Sequence, residues 1–438
     1  MTMRKQFAGF AISAVALAVS AQAMAGTVTT DGADIIINTK SGLEVATSDK
    51  QFSFKLGGKL QWDAVSFDGL RAGANAADPF GTTTDTFIRR GELGVEGVAY
   101  KNWGYGFRFS YDRKDAGDDA NFDRAFITYN GFEGVGITIG RYGMDYGLEN
   151  TTSSSWITGI ERPFMYDFLN GDEDTDFGVT AMHAGSNYGL AATLANRRGD
   201  GAGGRNEDES NKDIYEYTLR GTFAPYMEGT DVVHLGLNYH NSNADNNETE
   251  ISTRMGIRSD DDKKVKFATV EKTDSDSEWV LESGAQFGAV RLQAEYFNRS
   301  VEGDTADTDV DISGYHAQVS YMINGVRKYK ADAGKWDKPS EAGAVELFAR
   351  YESSTVDADA QAIADQGGVG LGNVSVKNAS SDFDADAFVL GVNYFPTPAV
   401  RVSLNYVDYE VSNLKATDEA EKFEDDGKAI QARLQYVF

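Results

Sequence analysis

Apolar and polar residues alternate with period two through most of this chain, in segments of about nine to eleven residues. Trp103, Tyr105, Phe107, Phe109 and Tyr111 share one face of such a segment, and Gly104, Gly106, Arg108, Ser110 and Asp112 share the other. Tyr215, Tyr217, Leu219 and Phe223 alternate with Glu216, Thr218, Arg220 and Thr222. Val233, Leu235, Leu237 and Tyr239 alternate with His234, Gly236, Asn238 and His240. The signature recurs at 290–297, 315–322, 345–352, 388–394 and 400–406. Each segment predicts a strand with one apolar, aromatic face and one polar or charged face.

A soluble sandwich alternates too, because one face of each sheet is solvated. Three features favour a membrane barrel. Aromatics sit near the ends of the apolar faces, as interfacial girdles require. Segment length matches a tilted strand crossing a bilayer. Connections alternate between short turns and longer loops. Short connections join 85–100 to 103–112, 122–130 to 134–142, 176–184 to 188–195, 214–224 to 231–240, 279–287 to 289–298 and 386–395 to 400–409. A longer one, about 323–343, joins 313–322 to 344–352. With 52–66 at the start and 428–438 at the end, the tally is sixteen. Residues 251–259 would make an odd number, so they are placed as an inserted segment inside a long external loop, 241–278. The expected fold is all-β, a 16-stranded antiparallel transmembrane β-barrel. Closure satisfies every backbone polar group in lipid, and sixteen strands leave an aqueous lumen. Ile430, Ala432, Leu434, Tyr436 and Phe438 alternate to the last residue. A terminal aromatic on the closing strand is typical of bacterial outer-membrane proteins.

Composition supports this reading. The 438 residues include 47 glycines and 12% aromatics, yet only 41% are apolar and mean hydropathy is −0.42. Disordered acidic chains are poor in aromatics. A formal charge of −27 argues against a nucleic-acid partner. The absence of cysteine removes disulfides, thiolate metal sites and cysteine catalysis. Residues 1–25 read as a signal peptide, with Arg4 and Lys5 as its basic start, an apolar run over 7–19, and Ala23-Met24-Ala25 as the cleavage site. That run is too short to span a bilayer as a helix.

No enzyme chemistry is visible. The four histidines, His183, His234, His240 and His316, are too scattered for a metal site. His234 and His240 are expected to line the pore or be solvated. There is no H-E-x-x-H, G-x-S-x-G or P-loop pattern. The acid runs at 172–174 and 260–262 fall on expected external loops, where divalent cations beside lipopolysaccharide are one use and a solvated face the other. No cofactor is expected.

The stretch from Gly26 to Ile37, then Gly42-Leu-Glu-Val-Ala-Thr and Phe52-Ser-Phe-Lys-Leu-Gly-Gly, closely resembles the phosphate- and polyphosphate-selective porins O and P of Gram-negative outer membranes. The likeness continues through Phe87-Ile-Arg-Arg, Gly140-Arg141, Val232-Val-His-Leu-Gly-Leu, Arg254-Met-Gly-Ile-Arg258 and the terminal Leu434-Gln-Tyr-Val-Phe. The resemblance implies a homotrimer, with residues 26–51 at the subunit interface and 52–438 as the barrel. It also implies a pore lined by an arginine ladder and by lysines near the constriction. Its partners would be small phosphate-like anions, outer-membrane lipid and lipopolysaccharide.

Carried over by position, the family's arginine pair falls on Arg89 and Arg90, its ladder on Arg254 and Arg258, and its central acid on Asp123. The lysines of its inward-folded periplasmic turn fall on Lys330 and Lys338. The loop over about 143–175 is expected to fold inward and bring Arg162 to the pore. Other family positions depart. Two ladder arginines fall on Glu250 and Ser252, two lysines on Asn150 and Gly104, and a constriction tyrosine on Glu92. Dehydrating an oxyanion needs several fixed donors, and arginine forks suit it. Fewer cations predict an anion channel weaker in selectivity than the family type, with a general or weakly cation-preferring porin as the alternative. An adhesin with a plugged lumen and a barrel-embedded hydrolase are the readings from other classes.

Overall fold

The computed structural model describes residues 34–438 except 39–42, 71–81, 113–119, 172–174, 199–212, 260–263, 305–307, 360–380 and 413–423. The expected signal peptide and the acid runs at 172–174 and 260–262 lie outside the described residues.

Sixteen strands close a barrel. They are β3 (Ser53–Phe67), β4 (Thr83–Ala99), β5 (Trp103–Asp112), β6 (Ala120–Phe132), β7 (Val135–Arg141), β8 (Phe177–Ala184), β9 (Tyr188–Arg198) and β10 (Asp213–Glu228). There follow β11 (Asp231–Thr253), β12 (Val265–Phe287), β13 (Val290–Gly303), β14 (Val310–Ile323), β17 (Ala344–Ala358), β18 (Ser381–Thr397), β19 (Val400–Ser412) and β20 (Glu424–Val437). Every neighbouring pair is antiparallel, and the last strand returns to the first, with Tyr436 opposite Leu60. Phe438 finishes the seam by exchanging two backbone hydrogen bonds with Gly58, both at 3.0 Å. A Cβ at Gly58 would lie 2.7 Å from the Phe438 ring, so only glycine lets that ring pack there.

All sixteen expected strands are present. The outer face is a band of exposed apolar residues such as Leu237, Leu281, Leu292, Val319 and Leu404. Ring pairs mark two belts on it. Trp103–Tyr129, Tyr129–Phe132 and Tyr226–Phe287 lie toward the short turns, and Tyr217–Tyr239, Trp279–Tyr296 and Tyr315–Tyr351 lie toward the long loops. Tyr315 and Tyr321 on β14 belong to different belts, about 20 Å apart along the strand.

The segment 241–278 differs from expectation. It is a strand extension more than a loop, because β11 runs to Thr253 and β12 starts at Val265, with Ile251 opposite Ala268. This hairpin tip folds over the barrel mouth. Ile251, Met255, Ile257 and Phe267 are buried there with Phe164, Met165 and Phe168 of the loop after β7 and with wall residues Phe297 and Phe383. Phe168 lies 5.7 Å from Phe267 and 6.4 Å from Phe297. The outer part of the lumen therefore holds an apolar core, although strand periodicity predicts a polar interior.

Two shorter units sit at the periplasmic end. The hairpin of β1 (Ile35–Asn38) and β2 (Leu43–Thr47) continues the sheet, since β2 pairs Ser53–Leu56 of β3 beyond the reach of β20. The connection 323–343 holds a second hairpin, β15 (Arg327–Lys330) and β16 (Lys335–Pro339), folded inward. Arg220 donates to the Ala333 and Gly334 carbonyls at 2.9 and 2.8 Å, and Tyr329 hydrogen-bonds His234 at 2.6 Å.

Candidate functional site

The inward loop between β7 and β8 carries a short helix, α1 (Leu148–Thr151), and a 3-10 turn (Phe164–Asp167). Wall residues hold it along most of its length. Gly147 N–H donates to Asn238, Leu148 N–H to Glu295 at 2.7 Å, and Phe164 N–H to Glu352. Arg299 donates to the Phe168 carbonyl, and Asn170 and Gly171 N–H to Glu278. Arg401 donates to the carbonyls of Ser155, Ile157, Thr158 and Gly159. The loop thus seals the wall from β10 to β20, where Arg220, Arg299, Arg350 and Arg433 are at most 5% exposed. On the opposite wall, Arg108, Arg124 and Arg141 are 28, 38 and 40% exposed. That second wall is the more accessible one.

His234 and His240 belong to the sealed side, a correction to the expectation that they line the pore or are solvated, and His316 is buried there with them. His234 pairs with Glu282 at 2.8 Å, His240 with Glu216 at 3.0 Å and His316 with Glu295 at 2.8 Å, all fully buried.

Two loop carboxylates collect the arginines. Arg89 donates to Glu161 from Nε at 3.0 Å and from Nη2 at 3.3 Å. Arg433 donates to Glu161 at 2.6 Å while forking onto Asp63. Arg258 lies 3.9 Å from Glu161 and 3.7 Å from Asp167, and Arg254 lies 3.7 Å from Asp167. Burial alone would raise the Glu161 carboxyl, but Arg89 and Arg433 hold it well below the usual carboxylate range. Burial, followed by the nearby Arg89, pushes the Arg258 guanidinium down, so cations crowd one another here.

Arg89 and Arg90 are adjacent, yet both point inward, because a β-bulge removes Arg89 from the ladder. Arg90 pairs with Gln61 and Ile88 with Trp62, leaving Arg89 as the extra residue. Arg90 donates to the Gln61 side chain at 3.1 Å. A second bulge does the same for Asp123, since Arg108 faces Arg124 and Phe109 faces Phe122. The sequence carried this signal. Ile88 and Leu93, like Phe122 and Ile127, are outward residues an odd five positions apart, which strict alternation forbids.

A chain of charges runs from buried Lys59 to the accessible wall. Lys59 pairs with Glu92 at 2.8 Å, Glu92 with Arg108 at 3.3 Å, Arg108 with Asp123, and Asp123 with Arg124 at 4.0 Å. Three cations bracket two acids. Lys59, Arg108 and Arg124 were not singled out from sequence, although their polar-face positions were readable. The acids expected to weaken the field are each paired with two cations, including Glu250, which binds Lys264 at 2.6 Å and Lys266 at 3.0 Å.

The tip of the β11–β12 hairpin is a tight turn in which Ile257 N–H donates to the Arg254 carbonyl at 2.8 Å. Met255 and Gly256 both have positive φ, 50° and 70°, as a type I′ turn requires. This turn brings Arg254 and Arg258 to the same loop carboxylate. Arg162 is partly exposed and braces the loop by donating to the Glu149 and Asn150 carbonyls at 3.3 and 3.2 Å. Lys330 and Lys338 lie apart from these residues on the periplasmic hairpin, with Lys330 on Asp337 at 3.1 Å. The sites therefore form two groups. Arg89, Arg90, Arg254 and Arg258 meet at the inward loop near the Asp123 chain, and the two lysines stand on the periplasmic hairpin.

The family model of phosphate-selective porins O and P matches residues 54–438. This chain belongs to that family. Porin O of Pseudomonas aeruginosa is 37% identical to it over 465 residues, covering 100% of both chains. Two solved structures share the barrel fold of this porin at 14% identity, covering 88% of it and 100% of themselves. They are a loop-deletion mutant of OmpT from Vibrio cholerae, TM-score 0.53, and an anion-selective porin from Comamonas acidovorans, TM-score 0.51. This porin is an outer-membrane channel for anions, with no catalytic role.

Proposed function

We propose that this porin passes small phosphate-like oxyanions by diffusion along Arg254, Arg258 and Arg90, with Arg89, buried on Glu161, holding the inward loop beside them. The anions then follow the Arg108–Arg124 wall past Asp123, beside Arg162, and leave past Lys330 and Lys338. The observation that carries this reading is the gathering of four arginines from β4 and the β11–β12 tip at one inward loop. Arginine forks match the tetrahedral oxyanion better than lysine point charges do. The pairing of Glu92, Asp123 and Glu250 with two cations each argues for retained anion preference despite the family lysines lost at Gly104 and Asn150.

Two partner assignments extend the reading. Ile36, Phe52 and Phe54 are 49, 44 and 38% exposed on the N-terminal extension and the adjoining start of β3. Apolar side chains on that rim suit burial against two further copies in a homotrimer, with residues 26–51 at the interface. The outward apolar band and aromatic belts suit lipid, with lipopolysaccharide around the external rim.

The test is a reversal potential in planar bilayers under a KCl gradient, followed by phosphate addition. Chloride preference with concentration-dependent block by phosphate is expected. Potassium preference without block would overturn the reading in favour of a general or weakly cation-preferring porin.

A further inference from the structure

We infer that Asp167 is a positioning residue for the ladder arginines, setting the place of Arg254 and Arg258 through the backbone of the turn that carries them. The inference rests on the anion pathway proposed above and assigns a role to an acid within it. A carboxylate among the cations of an anion channel opposes the field that attracts its solute, so its contacts must explain it. Asp167 Oδ2 accepts from the Thr253 hydroxyl at 3.0 Å and from the Arg254 backbone N–H at 2.9 Å. The same carboxylate faces both guanidiniums from 3.7 Å, beyond direct hydrogen-bond distance. The short contacts go to the turn, and the long ones go to the charges.

The anchor itself is fixed. Asp167 ends the 3-10 turn whose Phe164 N–H is bound by Glu352 and whose Tyr166 hydroxyl donates to Glu295 at 2.8 Å. Phe168, the next residue, is buried among aromatic rings. On the other side, Thr253 Oγ1 also accepts from Met255 N–H at 3.0 Å, so one hydroxyl links Asp167 to the positive-φ turn. The Gly256 carbonyl accepts from Gln431 at 2.8 Å, and Ile251 and Ile257 are buried. These contacts hold the hairpin tip in the mouth without Asp167. What Asp167 adds is the register of the turn over the inward loop, hence the spacing of the two arginine forks.

Three variants of the full-length porin separate position from charge. Asp167→Asn keeps an oxygen acceptor for Thr253 and Arg254 but removes the charge. Asp167→Ala removes both, and Thr253→Val removes only the hydroxyl link and no charge. Phosphate block of chloride current is read for each, after heat-modifiable mobility confirms a folded barrel. Asp167→Asn should raise the anion-to-cation permeability ratio and leave the half-blocking phosphate concentration within about twofold of wild type. Asp167→Ala should raise that concentration about tenfold, the scale of one lost hydrogen bond to a charged group. Thr253→Val should move it in the same direction by a smaller factor. If both Asp167 variants act alike and Thr253→Val is silent, Asp167 contributes only charge and the inference fails. A wild-type channel without anion preference would instead sink the underlying reading.

Discussion

Arg401, on the inner face of β19, donates from Nη2 to the backbone carbonyl of Thr158 at 2.8 Å and makes no ion pair among the described residues. Its other donors reach the carbonyls of Ser155, Ile157 and Gly159 and the Asn393 side chain. A buried cation thus holds the bend of the inward loop through neutral oxygens. Arg401→Leu should orphan these carbonyls, lowering stability by on the order of 3 kcal/mol and loosening the constriction. Thermal unfolding of the folded barrel and single-channel recording check it. An unchanged conductance would show that the remaining staples suffice.

Arg254 and Arg258 reach the inward loop from the hairpin tip. Removing both, as Arg254→Ala with Arg258→Ala, should shift the reversal potential toward cations. It should also weaken phosphate block by about tenfold, as loss of charge-assisted contacts does. An unaltered ion preference would place both side chains outside the conducting path.

Glu92 sits between Lys59 and Arg108 and pairs with both. Glu92→Gln should therefore raise anion preference about threefold, from roughly 0.6 kcal/mol for one charge ~7 Å from the ion in water. Permeability ratios under a salt gradient measure it. A ratio equal to wild type would mean that the chain lies away from the ion.

Glu161 gives a pH prediction. Burial raises its carboxyl, but Arg89 and Arg433 hold it well below the usual carboxylate range. A group depressed in the folded state stabilises fully above its unfolded value, near 4.3. That contribution declines as pH falls below the unfolded value and is gone once pH has passed the lower folded value. The inward loop should keep its ion pairs at pH 4, and the stability gap between wild type and Glu161→Gln should close only under stronger acid. Melting curves of both proteins from pH 7 downward test this. A gap that closes between pH 6 and 5 would contradict the assigned pairing.

Period-two alternation specifies the barrel, because it decides which residues meet lipid and strands can cross a membrane only in a closed sheet. Sixteen segments, the girdles, the closing Phe438, the inward loop and the inward periplasmic turn were all legible. Arg89, Arg90, Arg254 and Arg258 were named through the resemblance, and the broken alternation at Ile88–Leu93 marks the bulge that turns Arg89 inward. Tertiary structure decided the charge balance. Lys59 and Glu92 are 33 positions apart and Glu161 and Arg433 are 272 apart, with no pattern in the chain to join them. Only register and loop docking set these ion pairs at 2.8 and 2.6 Å. The overall charge of −27 therefore says little about the lumen. At a Debye length of about 8 Å in physiological salt, a passing ion responds to its near neighbours. Those neighbours are chosen by the fold.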